Sequence, residues 1–123
     1  MPPLLGIAIV DRSVLGHNLL HLVLKPKGFS CYDAQNIDQL KILVQKKLPI
    51  RAALINSNTF KDRLDHYFEW FQEYPAFKTL PKIFLCRDEG EARRARLLHL
   101  PAATVLDCPF HPDELYEVLQ SWR

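Results

Sequence analysis

The stretch AALINSNTF, residues 52–60, starts as an apolar run and turns polar at Asn56. With the preceding arginine it forms RAALIN (51–56), a short run typical of a strand that is buried on both faces. Four similar runs occur elsewhere: LLGIAIVD (4–11), FSCYDA (29–34), KIFLC (82–86) and ATVLD (103–107). Glycine or proline stands shortly before each run, which favours strands separated by other elements. We therefore expect Asn56 to lie at the end of a buried strand, where the chain enters a loop.

Segments with helical periodicity separate these runs. Ser13 and Asn36 are side chains of the type that caps helix N-termini, and Pro112 is typical of a first helical turn. The apolar residues after them recur at helical spacing: Val14, Leu15, Leu19, Leu22 and Val23; Ile37, Leu40, Leu43 and Val44; Leu115, Val118, Leu119 and Trp122. Strand and helix thus alternate five times. This order predicts a parallel sheet with helices on both faces and functional groups at the carboxyl ends of its strands.

Composition limits the class of protein. The 123 residues suit a single domain over 1–123, and 16 basic against 14 acidic residues give a net charge of +2. That near balance gives no general attraction to nucleic acid or lipid headgroups. The chain has three cysteines, Cys31, Cys86 and Cys108, an odd number without metal-like spacing. We also find no secretory leader pattern, so we expect a reduced, cytoplasmic protein. No apolar run is long enough to cross a bilayer.

The strand ends resemble those of response-regulator receiver domains over nearly the whole chain. IAIVD (7–11) resembles the first strand with its acidic end, and AALIN (52–56) the third strand, which normally ends in the phosphoaccepting aspartate. KIFLC (82–86) is similar to the fourth strand, and VLDCPF (105–110) to the fifth-strand motif in which a lysine precedes Pro-Phe. The resemblance implies an α/β, flavodoxin-like (CheY-like) fold: a doubly wound five-stranded parallel sheet, order 2-1-3-4-5, with five helices.

The residues that carry receiver chemistry are replaced at these positions. The resemblance places Asp11 in the acidic pair that holds Mg²⁺, but its partner is Arg12, which would repel the metal and could itself occupy the pocket. Asn56 stands at the phosphoacceptor position, and a neutral carboxamide cannot form an acyl phosphate. Its amide could instead bond Asp11, Arg12 or the neighbouring loop. Cys86 replaces the hydroxyl residue, and Cys108 replaces the lysine.

We interpret these losses as a phosphorylation-independent pseudo-receiver without cofactor or metal. It would not be an enzyme, but a protein–protein interaction module in bacterial signal transduction or regulation. Two alternatives remain open. The vacated phosphate pocket could sense a small anion near Arg12, or Asp11, Cys86 and Cys108 could form a cysteine-based redox site. Buried cysteine is more often a small apolar residue, and neither belongs to a C-x-x-C unit, so the redox alternative is the weaker one.

The segment KDRLDHYFEWFQEYPAF, residues 61–77, holds six aromatic residues. On a helix, one face suited to packing on the sheet carries Leu64, Tyr67, Phe68 and Phe71. Trp70 points roughly 110° away from the middle of that face if each residue turns the helix by about 100°, and Tyr74 lies between. Trp70 either packs on a neighbouring helix or loop, or with Tyr74 forms a partner-binding anchor.

An arginine ridge surrounds the predicted fourth helix and consists of Arg87, Arg93, Arg94 and Arg96. We expect Ala92, Ala95 and Leu98 on the buried side of that helix. A charge run is usually a solvated face. The resemblance implies that the fourth helix, fifth strand and fifth helix form a dimer or effector surface. We therefore expect a protein partner or homodimer through this face or through the aromatic third helix, whereas no interleaving of aromatic and basic residues supports nucleic-acid binding.

His17 and His21 are spaced i, i+4, which can place two imidazoles on one helix face, as a metal site requires. No third ligand follows nearby in the sequence. The pattern favours a solvated or partly packed histidine pair.

Overall fold

The fold is a five-stranded parallel sheet between two layers of helices, seen in a computed structural model that describes residues 5–60, 64–87 and 91–120. The strands are β1 (Leu5–Val10), β2 (Phe29–Ala34), β3 (Ile50–Asn56), β4 (Lys82–Cys86) and β5 (Ala103–Asp107). They are ordered β2-β1-β3-β4-β5, and each neighbouring pair is parallel. The predicted sheet order is confirmed, and Asn56 is the last residue of its strand as expected.

The described residues form six helices, one more than the five predicted. They are α1 (Val14–Leu24), α2 (Ile37–Gln45), α3 (Leu64–Glu73), α4 (Pro75–Lys78), α5 (Glu91–Leu98) and α6 (Pro112–Gln120), with single 3-10 turns at Lys25–Lys27 and Ser57–Thr59. The segment expected to be one third helix is divided because proline has no N–H to donate to the preceding turn, so Pro75 begins a new helix. The predicted fourth and fifth helices are therefore α5 and α6.

The predicted helix starts are confirmed. The Ser13 hydroxyl accepts a hydrogen bond from the Gly16 backbone N–H at 3.2 Å, and the Asn36 side-chain carbonyl accepts one from Gln39 at 2.8 Å. Each bond satisfies a backbone donor that has no partner inside its helix. Pro112 is the first residue of α6.

Two apolar layers enclose the sheet, one on each face. Alternate residues of β1 enter opposite layers: Ala8 and Val10 pack with α2, α3, α4 and α5, while Ile7 and Ile9 pack with α1 and α6. On α3, Tyr67 and Phe71 are buried as predicted, whereas the side chains of Leu64 and Phe68 lie outside the described residues. On α6, Leu115 and Leu119 are buried; Trp122 also lies outside the described residues.

The buried faces of two helices differ from what their sequence patterns suggest. On α1 the buried residues are His17, Leu20 and Leu24, and four of the five apolar positions noted in the sequence are largely exposed: Val14 67%, Leu15 66%, Leu19 54% and Leu22 72%. On α5, Leu97 is buried while Ala95 and Leu98 are exposed, and the side chain of Ala92 is not described. Leucine buries more apolar area than alanine, so Leu97 sets the rotation of α5.

Within the described residues, no helix is both long enough and apolar enough to span a membrane.

Candidate functional site

Asp11 is the centre of the site at the carboxyl ends of the strands. It directly follows β1 and is only 2% exposed. Its Oδ1 accepts hydrogen bonds from the Ser13 backbone N–H at 2.8 Å and from the Asn58 side-chain amide at 3.1 Å. Its Oδ2 accepts one from the Asn56 side-chain amide at 3.0 Å. Three neutral donors therefore surround the buried carboxylate and offset the cost of removing it from water.

Asn56 is held at both ends of its amide. Its Nδ2 donates to Asp11, and its Oδ1 accepts a hydrogen bond from the Asn58 backbone N–H at 3.0 Å. The two contacts fix which end of the amide carries oxygen, because the carboxylate can only accept and the backbone N–H can only donate. The predicted bonds from Asn56 to Asp11 and to the neighbouring loop are confirmed.

Gly16 allows α1 to approach this centre. A Cβ atom on Gly16 would lie 2.2 Å from the Asp11 Oδ2 atom. Only glycine therefore fits at this position without displacing the carboxylate. Sequence reasoning did not single out Gly16, although glycine in the first turn of a helix is unusual enough to be a signal.

A cavity of about 430 Å³ opens beside the carboxylate. Asp11, Asn56 and Asn58 line one side, and the exposed Leu15 and Leu19 of α1 line another. Among the described residues, Arg87, which directly follows β4, brings a positive charge to the wall of this Asp11 cavity.

The sequence left open that Arg12 could occupy this pocket, and the structure does not place it there. Arg12 is exposed and is not among the described residues that line the cavity. The chain bends at Arg12 directly after Asp11, and the Arg12 side chain lies in solvent. Sequence reasoning had placed Arg87 only in the arginine ridge, and its position immediately after a strand was the signal for a role at the strand ends.

The donor set does not fit Mg²⁺. A hard dication prefers several anionic oxygens. Asp11 is the only carboxylate among the described residues of the cavity wall, and both of its oxygens accept hydrogen bonds from neutral groups. Arg87 adds positive charge to the same cavity.

Cys86 and Cys108 pack into different layers. Cys86 is 3% exposed and belongs to the layer under α2, α3, α4 and α5, while the half-buried Cys108 packs on the layer under α1 and α6. Their backbones are joined by a 2.7 Å hydrogen bond from the Cys108 N–H to the Cys86 carbonyl. No disulfide joins any of the three cysteines, all of which the structure describes. Neither Cys86 nor Cys108 is among the described residues that line the Asp11 cavity.

His17 and His21 meet at Asp33, a residue of β2 that no sequence pattern connects to them. Both the His17 Nδ1 and the His21 Nε2 lie 2.8 Å from the same Asp33 Oδ1. The His17 Nε2 also lies 2.8 Å from the backbone carbonyl oxygen of Asp11. Burial alone would raise the pKa of Asp33, but hydrogen bonds from His21 and then His17 outweigh it and hold that pKa below its ordinary value. The cluster ties α1 to β2 and agrees with the expected partly packed pair.

Trp70 is half-buried and packs against the helix that follows it. Its ring centroid lies 5.3 Å from that of Tyr74 and 4.5 Å from that of Phe77. The Lys41 ammonium lies 5.3 Å from the Trp70 ring centroid. These contacts agree with packing on a neighbouring helix, and they leave part of the ring accessible. A cleft of about 390 Å³ adjoins the two rings; we call it the α3–α4 cleft, and it is lined by Glu69, Trp70, Glu73, Tyr74 and Pro75.

The arginine ridge does not form one continuous surface in the described residues. Arg87 lines the Asp11 cavity, and the Arg94 Nη2 atom forms an ion pair with the Asp107 Oδ2 atom of β5 at 2.8 Å. Arg96 is exposed on α5, and the side chain of Arg93 lies outside the described residues.

Comparison with known proteins gives the fold a context. No protein-family model and no curated protein matches the sequence. Among solved structures, a protein described as a response regulator from Chloroflexus aurantiacus J-10-fl aligns with a TM-score of 0.81 at 21% identity, covering 97% of each chain. Chemotaxis protein CheY4 of Vibrio cholerae aligns with a TM-score of 0.80 at 17% identity, covering 98% of this chain and 99% of that one.

A third solved structure is similar in the same way. It is a CheY-like response-regulator receiver domain from Methylobacillus flagellatus, with a TM-score of 0.75 at 18% identity and coverage of 98% of this chain and 99% of that one. All three likenesses extend over nearly the full length of both chains. The chain therefore has the fold of a response-regulator receiver domain.

Proposed function

We propose that this domain is a phosphorylation-independent pseudo-receiver that acts as a protein–protein interaction module in bacterial signal transduction or regulation, in the cytoplasm. The observation that carries the proposal is the 3.0 Å hydrogen bond from the Asn56 amide to the Asp11 Oδ2 atom. It puts a neutral, fully engaged carboxamide at the position where the resemblance expects a phosphoaccepting carboxylate.

The rest of the site supports a non-enzymatic role. A carboxamide does not attack a phosphodonor to form an acyl phosphate. The donor set around Asp11 does not fit Mg²⁺, and cysteines stand where the resemblance expects a hydroxyl residue and a lysine. Phosphoryl transfer then lacks its nucleophile, its metal and its charge partner together.

Two surfaces are the candidates for contact with a protein partner or a second copy of the chain. One is the face made by α5, β5 and α6, where Arg94 and Arg96 are exposed. The other is the aromatic surface of α3 around Trp70 and Tyr74. Aromatic and arginine side chains contribute most of the binding energy in typical interfaces, which favours these two surfaces.

Incubation with acetyl phosphate and Mg²⁺, followed by intact mass spectrometry, tests the loss of phosphorylation. We expect no phosphoryl adduct on the parent chain and little on Asn56→Asp, because Cys86 and Cys108 are still present. The variant is assayed at a pH where circular dichroism shows it folded. An adduct at any strand-end residue of the parent would refute the proposal.

Capture of partners from the native cell extract tests the interaction role. The pair Arg93→Glu with Arg96→Glu should melt near the parent temperature, and Trp70→Ala should still melt cooperatively but at a lower temperature, because its ring packs on Tyr74 and Phe77. At least one of the two variants should lose the captured protein. Asp38→Asn, an exposed change on α2 that lies on neither candidate surface, serves as a matched control. Retention of every captured protein by both variants would place the interface elsewhere.

One observation favours small-anion sensing as a second candidate. Arg87 lines the Asp11 cavity together with Ser13 and Ser57, so a cationic residue and two hydroxyl-bearing residues border the same space. The buried Asp11 carboxylate opposes an anion there. Sulfate is titrated into the parent and into Arg87→Gln, and amide chemical shifts are followed. Saturable shifts in the parent that Arg87→Gln lacks would support anion sensing, and no shifts in the parent would rule it out. The redox alternative has no such support, since Cys86 and Cys108 pack into different layers.

A further inference from the structure

We propose that the α3–α4 cleft binds an arginine side chain of the partner protein. This inference rests on the proposed interaction function and adds the chemistry of the partner. The cleft has a volume of about 390 Å³, within the range of pockets that bury small ligands. Its walls combine two aromatic rings, a proline and two carboxylates.

The two carboxylates form an unmatched negative pair. Glu69 and Glu73 are exposed and lie four residues apart on α3, which places them side by side on one face of the helix. Within the described part of the chain, neither forms an ion pair. Like charges at this spacing destabilise a helix slightly until a cation joins them. A positive group entering the cleft therefore relieves a repulsion that is already present.

The aromatic wall is held in place before any partner arrives. The rings of Trp70 and Tyr74 are stacked, with an angle of 20° between their planes, and Phe77 supports Trp70 from the buried side. A rigid wall loses little conformational entropy when a partner binds. Lys41 already lies over the ring of Trp70, so the incoming cation meets Tyr74 and the carboxylates rather than that ring face.

Arginine fits this set of groups better than lysine. A planar guanidinium stacks on an aromatic ring, and its fork of five donors can bond two carboxylates at once. An ammonium is a compact, strongly hydrated charge that gains less from a flat aromatic wall. Glu69 and Glu73 would repel an acidic partner. The α3–α4 cleft therefore recognises a basic group, whereas the arginine ridge suits an acidic one.

A blocked tripeptide, acetyl-Gly-Arg-Gly-amide, is the probe for the test. It is titrated into ¹⁵N-labelled protein, and the indole N–H signal of Trp70 is followed after assignment with Trp70→Phe, which distinguishes it from Trp122. We expect a saturable shift that weakens with added salt. The lysine peptide should bind more weakly, and the uncharged citrulline peptide should bind about fivefold more weakly, the effect of about 1 kcal/mol from two exposed charge contacts. Equal affinity for the arginine and citrulline peptides would overturn the inference.

The second part of the test removes the two negative charges from the cleft. Glu69→Gln with Glu73→Gln should reduce the affinity of the arginine peptide by about fivefold, whereas the control Glu117→Gln leaves it unchanged. An unchanged affinity in the double variant would overturn the inference. So would a cleft already occupied by a second copy of the chain, seen as concentration-dependent sedimentation of the parent that the double variant lacks.

The outcome is separable from that of the proposed function. If Trp70→Ala loses the native partner while the arginine peptide fails to bind, the interaction role stands and the arginine assignment fails. If the arginine peptide binds while every surface variant retains all captured proteins, the assignment of the cleft stands and the proposed interface is wrong.

Discussion

Asn56→Asp should destabilise the domain strongly at neutral pH and much less in mild acid. The new carboxylate oxygen would take the place of the amide nitrogen that lies 3.0 Å from the Asp11 Oδ2 atom. Two like charges at about 3 Å repel by roughly 5 kcal/mol at an effective dielectric constant of about 20. The pair can instead hold one proton, which at pH 7 costs about 4 kcal/mol for a group with a reference pKa of about 3.9. The smaller cost decides the outcome, so we expect a loss of about 4 kcal/mol in the free energy of unfolding at pH 7.

The pH dependence separates charge repulsion from simple misfit. In the folded variant the pair binds a proton that the unfolded chain does not bind at pH 7, so the folded state gains on the unfolded state as the pH falls. At pH 4.5 the same arithmetic leaves a cost of about 1 kcal/mol. Urea unfolding of the parent, Asn56→Asp and Asn56→Ala at both pH values measures this. Asn56→Ala removes the donor without adding charge, and its deficit should stay nearly constant. A pH-independent deficit in Asn56→Asp would refute the reasoning.

Three further changes test other contacts. Gly16→Ala should lower the free energy of unfolding by about 2 kcal/mol in urea titrations, because its Cβ would lie 2.2 Å from Asp11 and outweigh alanine's higher helix propensity; a stabilised variant would contradict the close approach. Asp33→Asn should be less stable than the parent at pH 6, and the gap should close as the pH falls below the ordinary value of 3.8, because a carboxylate whose folded pKa is lowered stabilises only while ionised; a gap that is constant with pH would contradict this. Burial lowers the pKa of Lys82 to about 8 from 10.5, so between these pH values the unfolded chain binds more protons than the folded chain. The parent should therefore gain stability relative to Lys82→Met as the pH rises through that range. Stability curves that stay parallel for the two proteins would contradict the burial of the Lys82 charge.

The strand ends were predictable because one rule governs them. Parallel strands deliver their carboxyl ends to the same edge of a sheet, so Asp11 and Asn56 could be placed together without knowledge of any contact. Their hydrogen bond then follows from the chemistry of an amide beside a carboxylate. The five strands were predictable from short apolar runs, and the three central strands, β1, β3 and β4, are largely buried on both faces.

Side-chain direction and helix rotation were not predictable in the same way. Arg12 and Arg87 both stand shortly after strands, and the sequence alone does not show that Arg87 lines the cavity and Arg12 does not. Asp33 joins two histidines because β2 runs beside α1, a pairing that exists only in three dimensions. The leucines of α1 show a helical period, but period alone does not say which flank of the helix meets the sheet. His17 lies on the buried flank because Asp11 and Asp33 supply its hydrogen bonds.

The hydrogen bonds around Asp11 also bear on how such a domain can carry information. Donors from three places in the chain, Ser13, Asn56 and Asn58, converge on one carboxylate. A two-state switch needs a second arrangement within a few kcal/mol of the first, and releasing this carboxylate would leave a buried charge without donors. The loop after β3 is therefore confined to a single arrangement, and relaxation-dispersion NMR should find it quiet on the millisecond timescale. Under the proposed function, the domain would therefore act through its concentration and its binding partners and not through a change in its own conformation.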